Sequence, residues 1–215
     1  MPRVSQLARE LAAWLRNEWT NKEEIVNEPA DYGPPFNLGN RPVVGVCWYE
    51  AMAYCRWLTE CLKANKKTSA KIRAFLEQGW LVALPSEAQW EKAARGSEDK
   101  RRYPWGDQVD PGKANYNETK IGSASALGCF PQGQSPSKCE DMAGNVWEWC
   151  RTPWQKDYQD YQNEPQSKEH KSSRVVRGGA FRYSRHDVRC SYRSLYDPFL
   201  RSYYIGFRVS LSPFL

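Results

Sequence analysis

Apolar residues recur at steps of three and four in two stretches of the chain. Val4, Leu7, Leu11, Trp14, Leu15 and Trp19 predict an amphipathic helix over 4–19 whose apolar stripe docks on the rest of the domain. Later, "VVGVCWYEAMAYCRWLTECLKANKK" begins as a short extended run and then sets Ala51, Tyr54, Cys55, Leu58 and Leu62 on one helical stripe. A shorter helical patch falls near residues 70–76. "GWLVALPSEAQWEKAARG" reads as a strand running into a helix. Ser86 with Gln89 three residues on forms a capping box, and Gly96 supplies the stop. "DMAGNVWEWC" predicts a tight turn into a strand, and "RVVRGGAF" and "IGFRVSL" predict two further short strands.

Between these elements the pattern fails. Residues 29–42, "PADYGPPFNLGNRP", hold four prolines and two glycines and predict a loop. From Tyr103 to Lys138 the chain is turn chemistry with little period, and a loop that long is usually functional or pinned. The hydrophilic tract from Arg151 to Ser173 predicts an exposed insertion. No internal repeat occurs. Short strands mixed with a few helices predict an α+β class, and 215 residues with 40% hydrophobic content suit one domain. The expected organisation is a single domain over 1–215, with an N-terminal helix and loop over 1–40. The start also allows the chain to be the C-terminal domain of a larger protein.

Charge and cysteines exclude several classes. A net +6 with bases and acids intermixed gives no nucleic-acid footprint, so nucleic acid is not an expected partner. No run approaches the roughly 18 apolar residues of a membrane span, and residues 1–20 lack the apolar core of a signal peptide. The expected setting is cytoplasmic, with no membrane partner. Seven cysteines with no CxxC pair argue against a disulfide framework and a zinc ribbon and for reduced, mostly buried thiols. Cys129 and Cys139, ten apart in a loop-like region, are the pair to check for a bridge.

"RPVVGVCWYEAMAYCRWL", "LPSEAQWEKAARG", "YPWGD", "AGNVWEW", "RVVRGGAF" and "GFRV" resemble, in order, the motifs of the formylglycine-generating-enzyme (sulfatase-modifying factor) family. That resemblance implies a C-type lectin-like fold, two main helices packed on small antiparallel sheets with much irregular chain. It also bears on chemistry. Sulfatase-maturing members bind copper through two cysteines a few residues after the RGG motif, and those places hold Tyr183 and Val188 here, with Cys190 alone nearby. A single thiolate cannot build the bis-thiolate site a soft copper ion needs. Members with a three-histidine iron site exceed what His170 and His186 can supply. Neither copper nor iron is therefore expected, and the chain is expected not to be an enzyme.

The end of the chain departs in composition from the rest. Lys, Glu, Gln, Trp and Met together account for 52 of residues 1–176 and none of residues 177–215. At that frequency, independent draws would leave so long a gap with odds of roughly one in a million. A codon mixture with any base at the first two positions and a pyrimidine at the third encodes every amino acid except these five. Substituting adenines in asparagine codons produces that alphabet.

Residues 177–209 accordingly resemble the variable region of diversity-generating retroelement target proteins. The resemblance implies a framework of Arg177, Gly178, Gly179, Arg189, Cys190, Arg193, Pro198, Arg201, Ile205, Gly206, Phe207, Arg208 and Val209. Positions expected to vary and to bind ligand are Arg182, Tyr183, Ser184, His186, Asp187, Tyr192, Ser194, Leu195, Tyr196, Asp197, Phe199, Leu200, Ser202, Tyr203 and Tyr204. Tyrosine suits such a surface because it offers large, rigid, amphipathic contact at low entropic cost. The competing reading places these aromatics in the core, but they show neither a two-residue nor a 3.6-residue period.

"DMAGNVWEW" resembles a calcium-binding turn of the same family, which implies ligation by Asp141, Gly144, Val146 and Glu148. Alternatively, Asp141 caps the turn and Glu148 pairs with an arginine. The paired glycines Gly178 and Gly179 read as a close backbone approach rather than a phosphate cradle. The expectation is a monomeric ligand-binding domain that displays a hypervariable surface to a protein or other macromolecule, with Ca2+ as a structural ion. Alternatives are a divergent oxidoreductase of the formylglycine-generating type and a sensing module of a larger effector.

Overall fold

The computed structural model describes residues 28–97, 100–158 and 172–213. The expected helix over 4–19, His170 and most of the hydrophilic tract lie outside the described residues. Three helices are described: α1 (Trp48–Ala64), α2 (Ala70–Glu77) and α3 (Glu87–Arg95). The strands are β1 (Leu81–Ala83), β2 (Trp147–Pro153), β3 (Arg174–Arg177), β4 (Arg193–Tyr196), β5 (Ile205–Phe207) and β6 (Ser210–Ser212). This is the expected α+β class.

Local chemistry fixes the helix ends as read. Ser86 Oγ accepts from the Gln89 amide at 3.1 Å while Gln89 Oε1 accepts from the Ser86 amide at 2.8 Å. Gly96 ends α3 at φ 75°, a conformation that costs glycine little. Along α1, Ala51 and Cys55 are buried as expected, but Tyr54 is 41% exposed because it turns onto Trp57 and Phe207 at the edge of the stripe.

β1 and β6 form a two-stranded antiparallel sheet, pairing Val82 with Leu211. The second sheet runs β4-β3-β2-β5. Its β2 and β5 are parallel, with Glu148 opposite Gly206, so one of the four described strand pairings departs from the expected small antiparallel sheets. The parallel pairing follows from the long excursion between these strands, which a hairpin could not provide.

Strand alternation explains why β2 is buried on both sides. Trp147 and Trp149 face the main core with Trp48, Tyr49 and Ile205. Cys150 joins a second cluster with Trp90, Val175 and Cys190 beneath α3. Indole nitrogens are satisfied across this layer: Trp48 Nε1 donates to the Cys150 carbonyl at 2.9 Å and Trp149 Nε1 to the Val46 carbonyl at 3.1 Å.

The long loop before β2 is pinned by one side chain. Asn145, buried and at φ 65°, accepts from the Ser125 amide at 2.9 Å through Oδ1. Its own amide donates to the Asn115 carbonyl at 2.7 Å. Irregular chain is thereby held against the start of the central strand.

Candidate functional site

Residues 177–209 leave β3, cross the end of the larger sheet, return as β4 and finish through β5. The two glycines that open the segment adopt φ 95° and 74°. A Cβ on Gly178 would sit 3.1 Å from the Trp90 ring, and one on Gly179 would sit 2.6 Å from Val188 Cγ1. Close backbone approach is thus what this pair provides.

Four arginines of the segment reach glutamates that lie outside it. Arg177, fully buried, donates to Glu87 Oε1 at 3.1 Å, to Glu91 and to the Cys190 carbonyl at 2.6 Å. Arg193 grips Glu87 through Nε at 2.7 Å and Nη2 at 2.6 Å. Arg201 pairs with Glu50 on the first turn of α1 at 2.6 Å, and Arg208 pairs with Glu148 of β2. Burial by itself would lower the Arg208 pKa, and the Glu148 carboxylate more than offsets it. Arg189 is held differently: its Nε donates to the His186 carbonyl at 2.8 Å and its guanidinium lies 6.0 Å from the Tyr192 ring. These are the positions assigned to the framework. Of their glutamate partners only Glu148 was read from the sequence; Glu50, Glu87 and Glu91 were missed, although a segment without glutamate was a signal that such acids lie elsewhere.

The positions assigned to variation behave otherwise. Arg182, His186, Leu195 and Asp197 are exposed, while Tyr183, Ser184, Asp187, Tyr192, Ser194, Tyr196, Phe199, Leu200, Tyr203 and Tyr204 are half-buried. Ser202 is buried and its carbonyl accepts from the Gly45 amide at 3.0 Å, so its side chain does not face outward as expected. The tyrosines are brought together. Tyr183 and Tyr196 share a hydroxyl–hydroxyl bond of 2.9 Å, and Tyr204 lies 5.7 Å from Tyr183, 6.3 Å from Tyr196 and 5.2 Å from Tyr203 by ring centroid. Partial burial raises the pKa of Tyr183 and Tyr196, so both hydroxyls remain protonated and able to donate. Tyr183, Tyr196 and Tyr204 also pack against the main core, so the core reading holds for their inner edges only.

Two further aromatics extend this face from the proline-rich loop. Tyr32 and Phe36 lie 5.7 and 5.4 Å from Tyr203. Sequence reasoning passed over them as loop residues; aromatics in a stretch dictated by proline and glycine were the available signal. A separate cleft of about 490 Å³ is lined by Glu87, Glu91, Lys92, Arg95, Tyr158 and Ser191. Its glutamates are already engaged by Arg177, Arg193 and Arg95, which makes it the back of the arginine clamp.

The residues expected to hold calcium meet different partners. Glu148 Oε1 accepts from Arg208 Nη2 at 2.6 Å, and Glu148 Oε2 accepts from Arg208 Nε and, at 2.6 Å, from Trp90 Nε1. The Asp141 carboxylate accepts from the Gly128 amide at 3.3 Å, and burial raises its pKa. The Gly144 amide donates to the Gly178 carbonyl at 2.7 Å. As arranged, Glu148 is held by Arg208 and Trp90, and Asp141 by the Gly128 amide. All seven cysteines are free thiols, Cys129 and Cys139 included. Burial pushes the Cys190 thiol up to about 12.

Among the described residues no helix is long and apolar enough to cross a membrane. The sulfatase-modifying factor enzyme 1-like domain matches residues 8–212. A formylglycine-generating enzyme from Streptomyces coelicolor is 33% identical over 219 residues, covering 93% of this chain and 58% of that protein. The Thermomonospora curvata enzyme of the same name is 30% identical over 198 residues, covering 81% and 56%. The serine/threonine-protein kinase pkn1 of Chlamydia pneumoniae is 31% identical over 173 residues, covering 79% of this chain and 24% of the kinase. The chain thus spans between a quarter and just over half of these relatives. Among solved structures, Treponema denticola variable protein 1 superposes with a TM-score of 0.64 at 22% identity, covering 85% of this chain and 76% of that one. The expectation that the chain is not an enzyme is corrected by relatives at 30–33% identity that carry an enzyme's name. With that match running from residue 8 to residue 212 and through every motif quoted above, the chain belongs to the sulfatase-modifying factor enzyme 1-like domain family.

Proposed function

We propose that residues 177–209 form a ligand-binding surface diversified by a retroelement, and that the surface recognises a protein or other macromolecule. One observation carries this reading. Four of the five arginines assigned to the framework are clamped to Glu50, Glu87 and Glu148 of the preceding chain, whereas of the positions assigned to variation only Ser202 is buried. Side-chain replacement on such a surface changes recognition while the clamps keep the backbone in place. The tyrosine-rich face, with protonated hydroxyls and rigid rings, supports recognition of a macromolecule. The likeness in fold to a solved variable protein supports the same reading.

The test lies in the DNA beside the gene. The expected result is a near-copy of the 3′ end that differs only at adenines, next to a reverse transcriptase. A gene with no such copy removes the diversification and leaves a fixed binding surface.

A second reading, generation of formylglycine from a peptide cysteine, is favoured by the names of the relatives. Mass spectrometry of a cysteine peptide incubated with the chain and copper tests it. Conversion to the aldehyde supports it, and an unchanged peptide removes it.

A further inference from the structure

We infer that the surface formed by residues 177–209 is built for an acidic protein segment, whose carboxylates meet arginines that have no ion-pair partner of their own among the described residues. The inference rests on the reading of these residues as a binding surface. Arg177, Arg193, Arg201 and Arg208 each have a carboxylate partner. Arg182, Arg185 and Arg189 form no ion pair among the described residues. The guanidinium of Arg182 lies 5.6 and 5.5 Å from the Tyr203 and Tyr204 rings and donates to the Tyr203 hydroxyl.

The nearby acids Asp187, Asp197 and Glu118 accept from local amides and hydroxyls rather than from a guanidinium. Asp187 accepts from the Ser184 amide at 2.9 Å and the Ser184 hydroxyl at 2.7 Å, and Asp197 accepts from the Phe199 amide at 2.8 Å. Glu118 faces Arg185, accepting its amide at 3.4 Å.

The arginines and tyrosines lie in two groups. Arg182 lies against the Tyr203 and Tyr204 rings and Arg189 against Tyr192, and Tyr183 and Tyr192 both pack from above on the buried Trp147. Beyond Arg189, the Tyr103 hydroxyl donates to the Arg185 carbonyl at 3.1 Å. Burial raises the pKa of that hydroxyl, Arg189, Arg102 and Arg185 lower it, and Glu118 raises it. Arginine binds carboxylate through paired hydrogen bonds, and a neighbouring aromatic ring holds the guanidinium in place.

Arginines beside aromatic rings also bind nucleic acid, but ring geometry disfavours it here. The rings of Tyr183, Tyr196 and Tyr203 meet Tyr204 at interplanar angles of 62°, 58° and 83°, so they close on one another and present edges. Single-stranded bases need open, parallel faces.

Panning a random-peptide phage library against the full chain tests the inference. Selected peptides are expected to be enriched in Asp and Glu over the input. A fluorescein-labelled selected peptide is expected to bind at least about fivefold more weakly to Arg182→Ala and to Arg185→Ala. Arg185 is exposed, so weaker binding with an unchanged thermal melt reports a lost contact. Enrichment without acidic bias, arginine variants that bind the peptide as the parent does, or tighter binding of an oligo-dT strand overturns the acidic preference and leaves the binding surface standing. No enrichment over a Tyr203→Ala, Tyr204→Ala chain overturns both.

Discussion

Glu87 is the acid on which the C-terminal segment hangs. Its carboxylate accepts from Arg177 at 3.1 Å, from Arg193 at 2.7 and 2.6 Å, and from the Tyr158 hydroxyl at 3.3 Å. The Glu87 side chain is 2% exposed and that of Arg177 is 0% exposed. Glu87→Gln keeps the shape but sets a neutral amide, itself a donor, against two guanidinium groups. Removing one partner of a buried ion pair costs about 3–5 kcal/mol because the other charge is left stranded. Glu91, 26% exposed and also bonded to Arg177, retains part of the compensation, so the lower end applies, about 3 kcal/mol. At about 2–4 °C per kcal/mol for a chain of this size, the melting temperature falls by roughly 6–12 °C. Urea unfolding followed by tryptophan fluorescence, together with thermal melts, measures both quantities. Glu60→Gln is the control: its Lys63 pair has side chains 53% and 43% exposed, and such a pair contributes under about 0.5 kcal/mol. A loss at Glu87 below about 1 kcal/mol, in the range of a surface pair, refutes the clamp.

Other substitutions read the remaining geometry. Gly179→Ala forces a positive φ on a residue whose Cβ would lie 2.6 Å from Val188 Cγ1. The expected cost in urea unfolding is about 2–4 kcal/mol, and a neutral change contradicts the close approach. Asn145→Ala removes the acceptor of the Ser125 amide, with an expected loss of about 1–3 kcal/mol and faster hydrogen exchange at Ser125. Iodoacetamide near neutral pH labels the exposed Cys129 first. Burial pushes Cys47, Cys55 and Cys190 up to about 12, so their thiolate fraction stays small until the pH approaches that value. Mass spectrometry checks the order of labelling, and equal rates at Cys129 and Cys190 contradict it.

Elements with a local cause were legible in the sequence. The capping box at Ser86 and the stop at Gly96 bound α3 as read, and the apolar run before Pro85 forms β1. β4 was not legible: Arg193 to Tyr196 has no apolar period, and the strand exists because its backbone pairs with β3, Val175 opposite Leu195. The parallel pairing of β2 with β5 likewise depends on residues far apart in the chain. At the site, composition separates residues 177–215 from the rest, and the resemblance assigns framework and variable positions. The clamps themselves were hidden, since Arg193 meets Glu87 across 106 residues and Arg201 meets Glu50 across 151. Ser202 was misjudged because only tertiary packing against Gly45 buries it. Glu148 was read as a metal ligand or an ion-pair partner, and the position of Arg208 favours the pair.

The division of residues 177–209 into a clamped frame and a replaceable face is tested most directly by two libraries scored for protease resistance on the yeast surface. One randomises the exposed and half-buried variable positions, with codons ending in a pyrimidine, and keeps the arginines. The other randomises Arg177, Arg193, Arg201 and Arg208 and keeps the face. Most clones of the first are expected to remain folded, and most of the second are expected to be lost. Equal losses in the two libraries contradict the division.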